Sequence, residues 1–295
     1  MADETPVMGH QTRYAIGASA PTTKILEVMQ FGIIGSIQNV RNQGARGTRS
    51  HFSTGIREGV KTCEGNVTLE PRVDELALLL PYILFGTPSG TTYPLAEAPV
   101  EHVWDADLIE KAIRYSGCVV NRATFRSSAG QPLSLTLDVI GKDWDDTITF
   151  PSLSNYSAYA PFMHHDLVVE IDSLPYYPES LVIVVDNRVQ PMHRSSQTRR
   201  HLRPADRIIT VSMQLGYSED EQVLHQLSAT AAKAGTFTYT NGAVSLAFAT
   251  PALQTPKQTS PMQNRSAEIS RQFQWQARAA SAALDELVVT LDSTP

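Results

Sequence analysis

One order of elements is written twice in this chain. Phe31, Ile33, Ile37 and Asn39 read as a strand that leads into a loop rich in arginine and glycine. The loop returns through a strand at Val67 and Leu69 into a helix carrying Leu76, Leu79, Leu80 and Ile83. Roughly 145 residues later, a spacing found by lining up element order, the series recurs. Leu181, Ile183, Val185 and Asn187 lead into a second arginine-rich loop, then a strand (Val211, Met213, Leu215), then a helical pattern (Val223, Leu224, Leu227). A repeat this long predicts two units of like topology. With no catalytic kit in view, it also points to a chain built to assemble with copies of itself.

Length permits the duplication. A chain of 295 residues holds two domains of ordinary size, each with its own core. Hydrophobic residues at 42% and charged residues at 18% place it among folded soluble proteins. The expected division is a loose arm over 1–24, a first β domain over 25–150 and a second over 151–295. The junction falls within 145–165. No apolar run approaches the ~20 residues that span a bilayer, so no membrane partner is expected. The longest such run, Leu76 to Phe85, is interrupted by Pro81. The opening Met-Ala-Asp-Glu-Thr-Pro lacks the basic and apolar regions of a secretory signal. Cys63 and Cys118 are too few for a disulfide framework or a zinc site and read as buried thiols of a protein folded in a reducing cytoplasm.

Most of the chain reads as β. Val119 to Phe125, Leu133 to Val139, Leu167 to Ile171 and Leu181 to Val185 are strand patterns. Phe237 to Phe248 alternates around Asn241-Gly242, which predicts a hairpin with a type I′ turn. Ile269 to Ala277 and Leu287 to Leu291 close the series, after a proline-containing loop over Thr250 to Met262. Two helices are expected, at 72–86 and 218–232. Pro71 suits the start of the first, whereas Pro81 would kink it. Ser218 and Glu221 form a capping box for the second. Strict alternation implies sheets with one buried face, so each unit is expected to be a sandwich or small barrel with one flanking helix.

Charge is unevenly placed. Residues 41–57 and 186–207 hold ten arginines and two acids, a net of +8 against a chain total of −6. The body therefore carries −14. The candidate assembly surface is Arg41, Arg46, Arg49 and Arg57 in the first loop, with Arg188, Arg194, Arg199, Arg200 and Arg203 in the second. Exposed loops favour arginine for solubility alone, and the same loops offer charge to phosphates. Residues 193–203 hold no aromatic side chain for stacking on bases, however, and the body is acidic. Contact between a basic loop and the acidic body of another copy needs no further partner.

Catalytic and cofactor signatures are missing: there is no Gly-x-Ser-x-Gly, Walker loop, His-Glu-x-x-His or dinucleotide fingerprint. His164-His165-Asp166 opens a strand, where adjacent side chains diverge and ligate a metal poorly. Asp143, Asp145 and Asp146 around Trp144 offer the two carboxylates a glycosidase needs, or simply a polar turn. No catalytic, cofactor or metal residue is assigned and no cofactor is expected.

The run Glu64-Gly-Asn-Val-Thr-Leu-Glu-Pro-Arg-Val-Asp-Glu-Leu-Ala-Leu-Leu-Leu-Pro-Tyr-Ile-Leu-Phe-Gly86 resembles the strand and helix of bacteriophage tail tube proteins, the major tail proteins of long-tailed phages. Leu181 to Asn187, Arg207 to Leu215 and the closing pattern, Thr236 to Thr250 and then Ser266 to Leu291, are similar to the same family. The likeness is one of pattern and order over most of 27–292. It implies a structural virion protein, assembled in the host cytoplasm, whose sheets join those of neighbours into rings. The rings stack as a tube that carries DNA without binding it specifically. It also implies other tail components (tape measure, terminator, baseplate) as partners. A duplicated chain fits rings of three with pseudo-six-fold symmetry, with six chains as the alternative. An acidic lumen wall would keep DNA sliding. Another ring of the tail, such as a terminator or baseplate ring, and a nucleic-acid-binding β protein are the competing readings.

Overall fold

The structure is a computed structural model that describes residues 11–21, 24–41, 56–153, 155–216, 232–254, 270–280 and 285–293. It is mainly β, in antiparallel sheets. The first half contains β1 (Arg13–Gly17), β2 (Val28–Phe31), β3 (Ile34–Arg41), β4 (Ile56–Leu69), α1 (Val73–Leu84), β5 (Thr92–Tyr93), β6 (His102–Asp107), β7 (Ala112–Ser128), β8 (Ser134–Gly141) and β9 (Asp143–Ile148). The second contains β10 (Leu167–Ile171), β11 (Leu174–Tyr176), β12 (Ser180–Asp186), β13 (Gln190–Met192), β14 (His201–Arg203), β15 (Ile208–Gly216), β16 (Lys233–Asn241), β17 (Val244–Gln254), β18 (Ser270–Arg278) and β19 (Val288–Asp292).

The ladders of the two halves correspond. Strands β3, β4, β8 and β7 pair in that spatial order, and β12, β15, β18 and β17 repeat it. A second layer recurs as well. In the first half β6 and β9 flank the early part of β7, and β1 lies beyond β6. In the second, β16 and β19 flank β17, and β10 lies beyond β16. The long strand is the hinge of each layout: the 17 residues of β7 leave the second layer and enter the first.

Two ladders join the halves, a short one between β5 and β19 and a longer one between β7 and β12. β7 pairs with β12, from Ser128 opposite Ser180 to Arg122 opposite Asp186. The interior is shared across that seam. The Phe125 ring meets Phe248 edge to face at 4.9 Å, and α1 lies against β7, β17 and β19. Alternation explains the packing, since Leu181, Ile183 and Val185 on β12 point inward with Val211, Met213 and Leu215 on β15.

α1 forms where the sequence predicts a helix. Val73, Leu76, Leu79, Leu80, Ile83 and Leu84 are buried, and the apolar side chains of such a stripe each contribute about 1.5–3 kcal/mol on full burial. Glu75 caps the first turn, accepting the Arg72 N–H at 3.0 Å and the Glu27 N–H at 3.2 Å. Burial pushes the Glu75 carboxyl pKa up, against the pull of those two donors. Pro81 lies inside the helix, and Phe85 ends it at a φ of 64°.

Several expectations are corrected. Residues 13–17 of the expected loose arm are strand β1, paired with β6. Asn241 pairs with Val244, so Gly242 and Ala243 form the hairpin tip. Only Gly242 there has a positive φ, 64°, which is the pattern of a type II′ turn and not type I′. Strand β17 runs on to Gln254, taking the first residues assigned to the long loop. Asp143, Asp145 and Asp146 lie on a strand, not in a turn. His164 to Asp166 form one 3-10 turn before β10. Of the helix expected over 218–232, residues 218–231 lie outside those described.

Candidate assembly surface

The second arginine loop is rooted by a buried amide. The Asn187 side chain donates to the Ile83 and Val120 carbonyls at 3.0 and 3.1 Å and accepts from Arg207 Nε at 2.8 Å. The Arg207 guanidinium also stands 5.5 Å above the Phe85 ring. Asn121 holds the chain two residues on by accepting the Val189 N–H at 2.7 Å. From this root the chain rises as the β13–β14 hairpin, with Gln190 opposite Arg203. Arg188 and Arg194 take left-handed backbone at φ of 48° and 52°, which costs on the order of 1–3 kcal/mol where glycine is absent.

Arg199 then turns back and enters the first half. It is only 4% exposed. One terminal nitrogen donates to the Cys63 carbonyl at 3.0 Å and the Gly141 carbonyl at 3.3 Å; the other reaches Glu64 at 2.8 Å. Lys61 N–H donates to the Gln197 carbonyl at 2.8 Å beside it. Cys63 and Gly141 are opposite one another in the β4–β8 ladder, so the guanidinium bridges two strands. Gly141 leaves room for the two thiols behind the ladder, because a Cβ there would lie 2.8 Å from Cys63 Sγ and 3.1 Å from Cys118 Sγ. A hydrogen bond with Cys63, together with burial, pushes the Cys118 thiol pKa up, and both cysteines are free and buried.

The nine arginines expected to form one surface are therefore divided. Arg57, Arg188, Arg194, Arg200 and Arg203 are exposed. Arg199 is not available to a partner; it is an internal tether. Arg46 and Arg49 lie outside the described residues, and Arg41 is described only as the last backbone position of β3.

The solvent-facing side of the β4–β8–β7–β12–β15–β18 run is mostly polar, with Val182 and Val184 of β12 among its members. Thr68, Thr124, Thr136, Thr210, Ser212 and Gln274 stand in its register positions. The charged members nearly balance. Arg122 lies in register between Asp138 and Asp186, and Arg126 and Glu64 flank them. Desolvation pushes the Asp138 pKa up, and Arg122 opposes it. An acidic wall is thus absent from this face of the described residues. The acids stand elsewhere, such as the three aspartates on β9.

A family model for phage tail tube proteins matches residues 7–277. The chain belongs to the phage tail tube protein family. No curated protein matches it. Membership makes the chain a structural component of the virion tail, assembling with other tail proteins. Among the described residues no cluster of His, Cys, Asp and Glu is arranged to hold a metal ion.

Reasoning from sequence missed Asn187 and Arg199 as structural anchors. Asn39 and Asn187 hold the same place in the sequence repeat, yet Asn39 is exposed and Asn187 fully buried. Nothing in a single sequence separates them. For Arg199 too the sequence holds no signal, since its tether depends on where the Cys63 and Gly141 carbonyls lie in the fold.

Proposed function

We propose that this tube protein forms rings of pseudo-six-fold symmetry that stack into a tube through which DNA leaves the particle. Three chains per ring is the preferred stoichiometry, since each chain supplies two like units of four strands, divided near residue 150. The observation that carries this reading is the recurrence of the β3–β4–β8–β7 order as β12–β15–β18–β17, with β7 and β12 joining them edge to edge. A join of that kind is head to tail, and head-to-tail joins close into rings when their rotation allows.

The polar, nearly neutral face of the sheet run is the candidate lumen wall. Hydroxyl and amide groups offer DNA no counterion release, so such a wall holds the polyanion weakly without repelling it. Arg46, Arg49, Arg57, Arg188, Arg194, Arg200 and Arg203 are the candidate contacts with a neighbouring subunit or the next ring. Exposed pairs are worth about 0–1 kcal/mol each, so they act as a set. Negative-stain microscopy of concentrated protein, with the ring mass measured by native mass spectrometry, tests the reading. Rings of three chains are expected. A protein that stays monomeric at every concentration and salt would refute it, and a six-chain ring would refute the stoichiometry alone.

A further inference from the structure

The tip of the β16–β17 hairpin carries the one Asn-Gly step in the chain, Asn241-Gly242. No other asparagine precedes a glycine: Asn39 and Asn66 are followed by valine, and Asn121 and Asn187 by arginine. The step matters because the carboxamide carbon of an asparagine lies within reach of the backbone nitrogen of the next residue. A side chain on that residue crowds the approach, and glycine has none.

The fold leaves the approach open at this tip. Asn241 makes the last pair of the ladder, with Val244, and Gly242 lies beyond it. Gly242 and Ala243 are exposed. Gly242 has a φ of 64°, and no atom lies within 4 Å of the position a Cβ would take there. Ring closure requires the tip to leave its turn, and the end of a ladder opens at little cost. The Asn241 carboxamide is held by a long bond, Nδ2 donating to the Pro161 carbonyl at 3.4 Å. The Asn187 carboxamide, by contrast, is fully buried and bonded to Ile83, Val120 and Arg207.

We propose that Asn241 is a site of spontaneous deamidation, with water as the co-reactant. The Gly242 nitrogen loses its proton and bonds to Asn241 Cγ, and Nδ2 leaves as ammonia, closing a succinimide ring. Water then opens the ring. Cleavage at Cγ gives aspartate; cleavage at the backbone carbonyl carbon gives isoaspartate, whose main chain is longer by one methylene. No atom is oxidised or reduced. Either product puts a negative charge on a tip that carries none from Thr240 to Ser245. The donor that faced Pro161 becomes an acceptor, so two oxygens oppose each other where the hairpin meets the segment joining β9 to β10. The change accumulates with the age of the folded chain, so it separates old copies from new.

Peptide mass spectrometry of the full chain, aged in heavy-oxygen water at mildly alkaline pH, tests it, with the same protein in denaturant as the reference. The peptide spanning Asn241 should show NH2 exchanged for OH, carry one heavy oxygen, and separate into aspartate and isoaspartate forms. The rate should rise in proportion to hydroxide, since the attacking amide must give up its proton. Peptides holding Asn121 and Asn187 should stay unchanged over the same time. Gly242→Ala should lose most of the conversion, in the fold and in denaturant alike, so the result does not depend on that variant folding. A native chain in which Asn241 stays intact while the denatured chain converts would overturn the proposal, by showing that the hairpin shields the site. Conversion at another asparagine ahead of Asn241, or undiminished conversion in Gly242→Ala, would overturn it too.

Discussion

Replacing Arg199 with alanine should release the second arginine loop from the first half of the molecule. The guanidinium makes charge-assisted hydrogen bonds to two backbone carbonyls, Cys63 and Gly141, at a site where it is 4% exposed. Hydrogen bonds to charged groups contribute about 1.5–3 kcal/mol each. The third contact, Glu64, is 60% exposed at the side chain, and solvent screening reduces its share to about 0–1 kcal/mol. Part of the total is returned because the freed loop regains conformational freedom. The net loss should be about 2–4 kcal/mol. Opening the loop alone limits the effect on global unfolding, so two readouts are needed. Proteolysis within 188–203 should accelerate at least about 30-fold, the factor that 2 kcal/mol represents. The thermal midpoint should also fall by several degrees. Glu64→Gln should cost under about 1 kcal/mol by the same screening. An Arg199→Ala protein with unchanged proteolysis and unchanged melting would refute the tether. The same logic alters any charge-reversal experiment. A variant that reverses Arg199 with its neighbours tests the fold, so Arg199 must be left in place.

Reversing Arg194, Arg200 and Arg203 to glutamate should shorten tubes and raise their salt sensitivity with the melting temperature unchanged; tubes of normal length would count against a loop role in stacking. Labelled duplex DNA titrated against assembled tubes at two ionic strengths should show no tight binding; strong affinity that collapses with salt would favour a nucleic-acid-binding surface. Ser127→Ala and Tyr239→Phe should each cost about 1–2 kcal/mol and couple in a double-mutant cycle, because the Ser127 hydroxyl lies 2.7 Å from Tyr239 and 2.9 Å from His164 in a buried chain across both halves. His102 is fully buried, and burial pushes its pKa down to about 3. The unfolded chain, with an ordinary histidine pKa near 6.5, binds the proton first as pH falls. The neutral fold is therefore favoured fully above that pH and loses stability from about 6.5 down toward 3. Between pH 7 and 5 the loss should be about 2 kcal/mol. His102→Gln should flatten that part of the melting profile, and an unchanged slope would show that another group carries it.

What the sequence made legible follows from periodicity. α1 was readable because Leu76, Leu79, Leu80 and Ile83 share one face, and β12, β15 and β18 because they alternate. β6 was not, because all six of its residues are buried, among them His102, Asp105 and Asp107. Polar residues in a row read as loop. They are tolerated here because Arg114 grips Asp105 through two bonds at 2.7 and 2.6 Å, and Arg13 reaches Asp107 from β1. Each pair joins residues on different strands, and that information lies in the fold rather than in either segment. The early part of β7 was lost for the same reason, since Arg114 and Ser116 interrupt its alternation. At the candidate surface, arginine content located the loops, but only the structure separated the tether Arg199 from its exposed neighbours.

The ladder between β7 and β12 is unimolecular. Both strands belong to one chain, so this joint forms at an effective concentration fixed by the intervening residues, on the order of millimolar for a short flexible connection, whatever the protein concentration. In a ring of three such chains, half of the six joints would not loosen on dilution. The remaining three alone would set the critical concentration. Nucleating a ring would also need three molecules to meet instead of six, so the rate of ring formation should depend on concentration with about half the reaction order. Duplication, read this way, changes the kinetics of assembly without changing the shape of what is assembled.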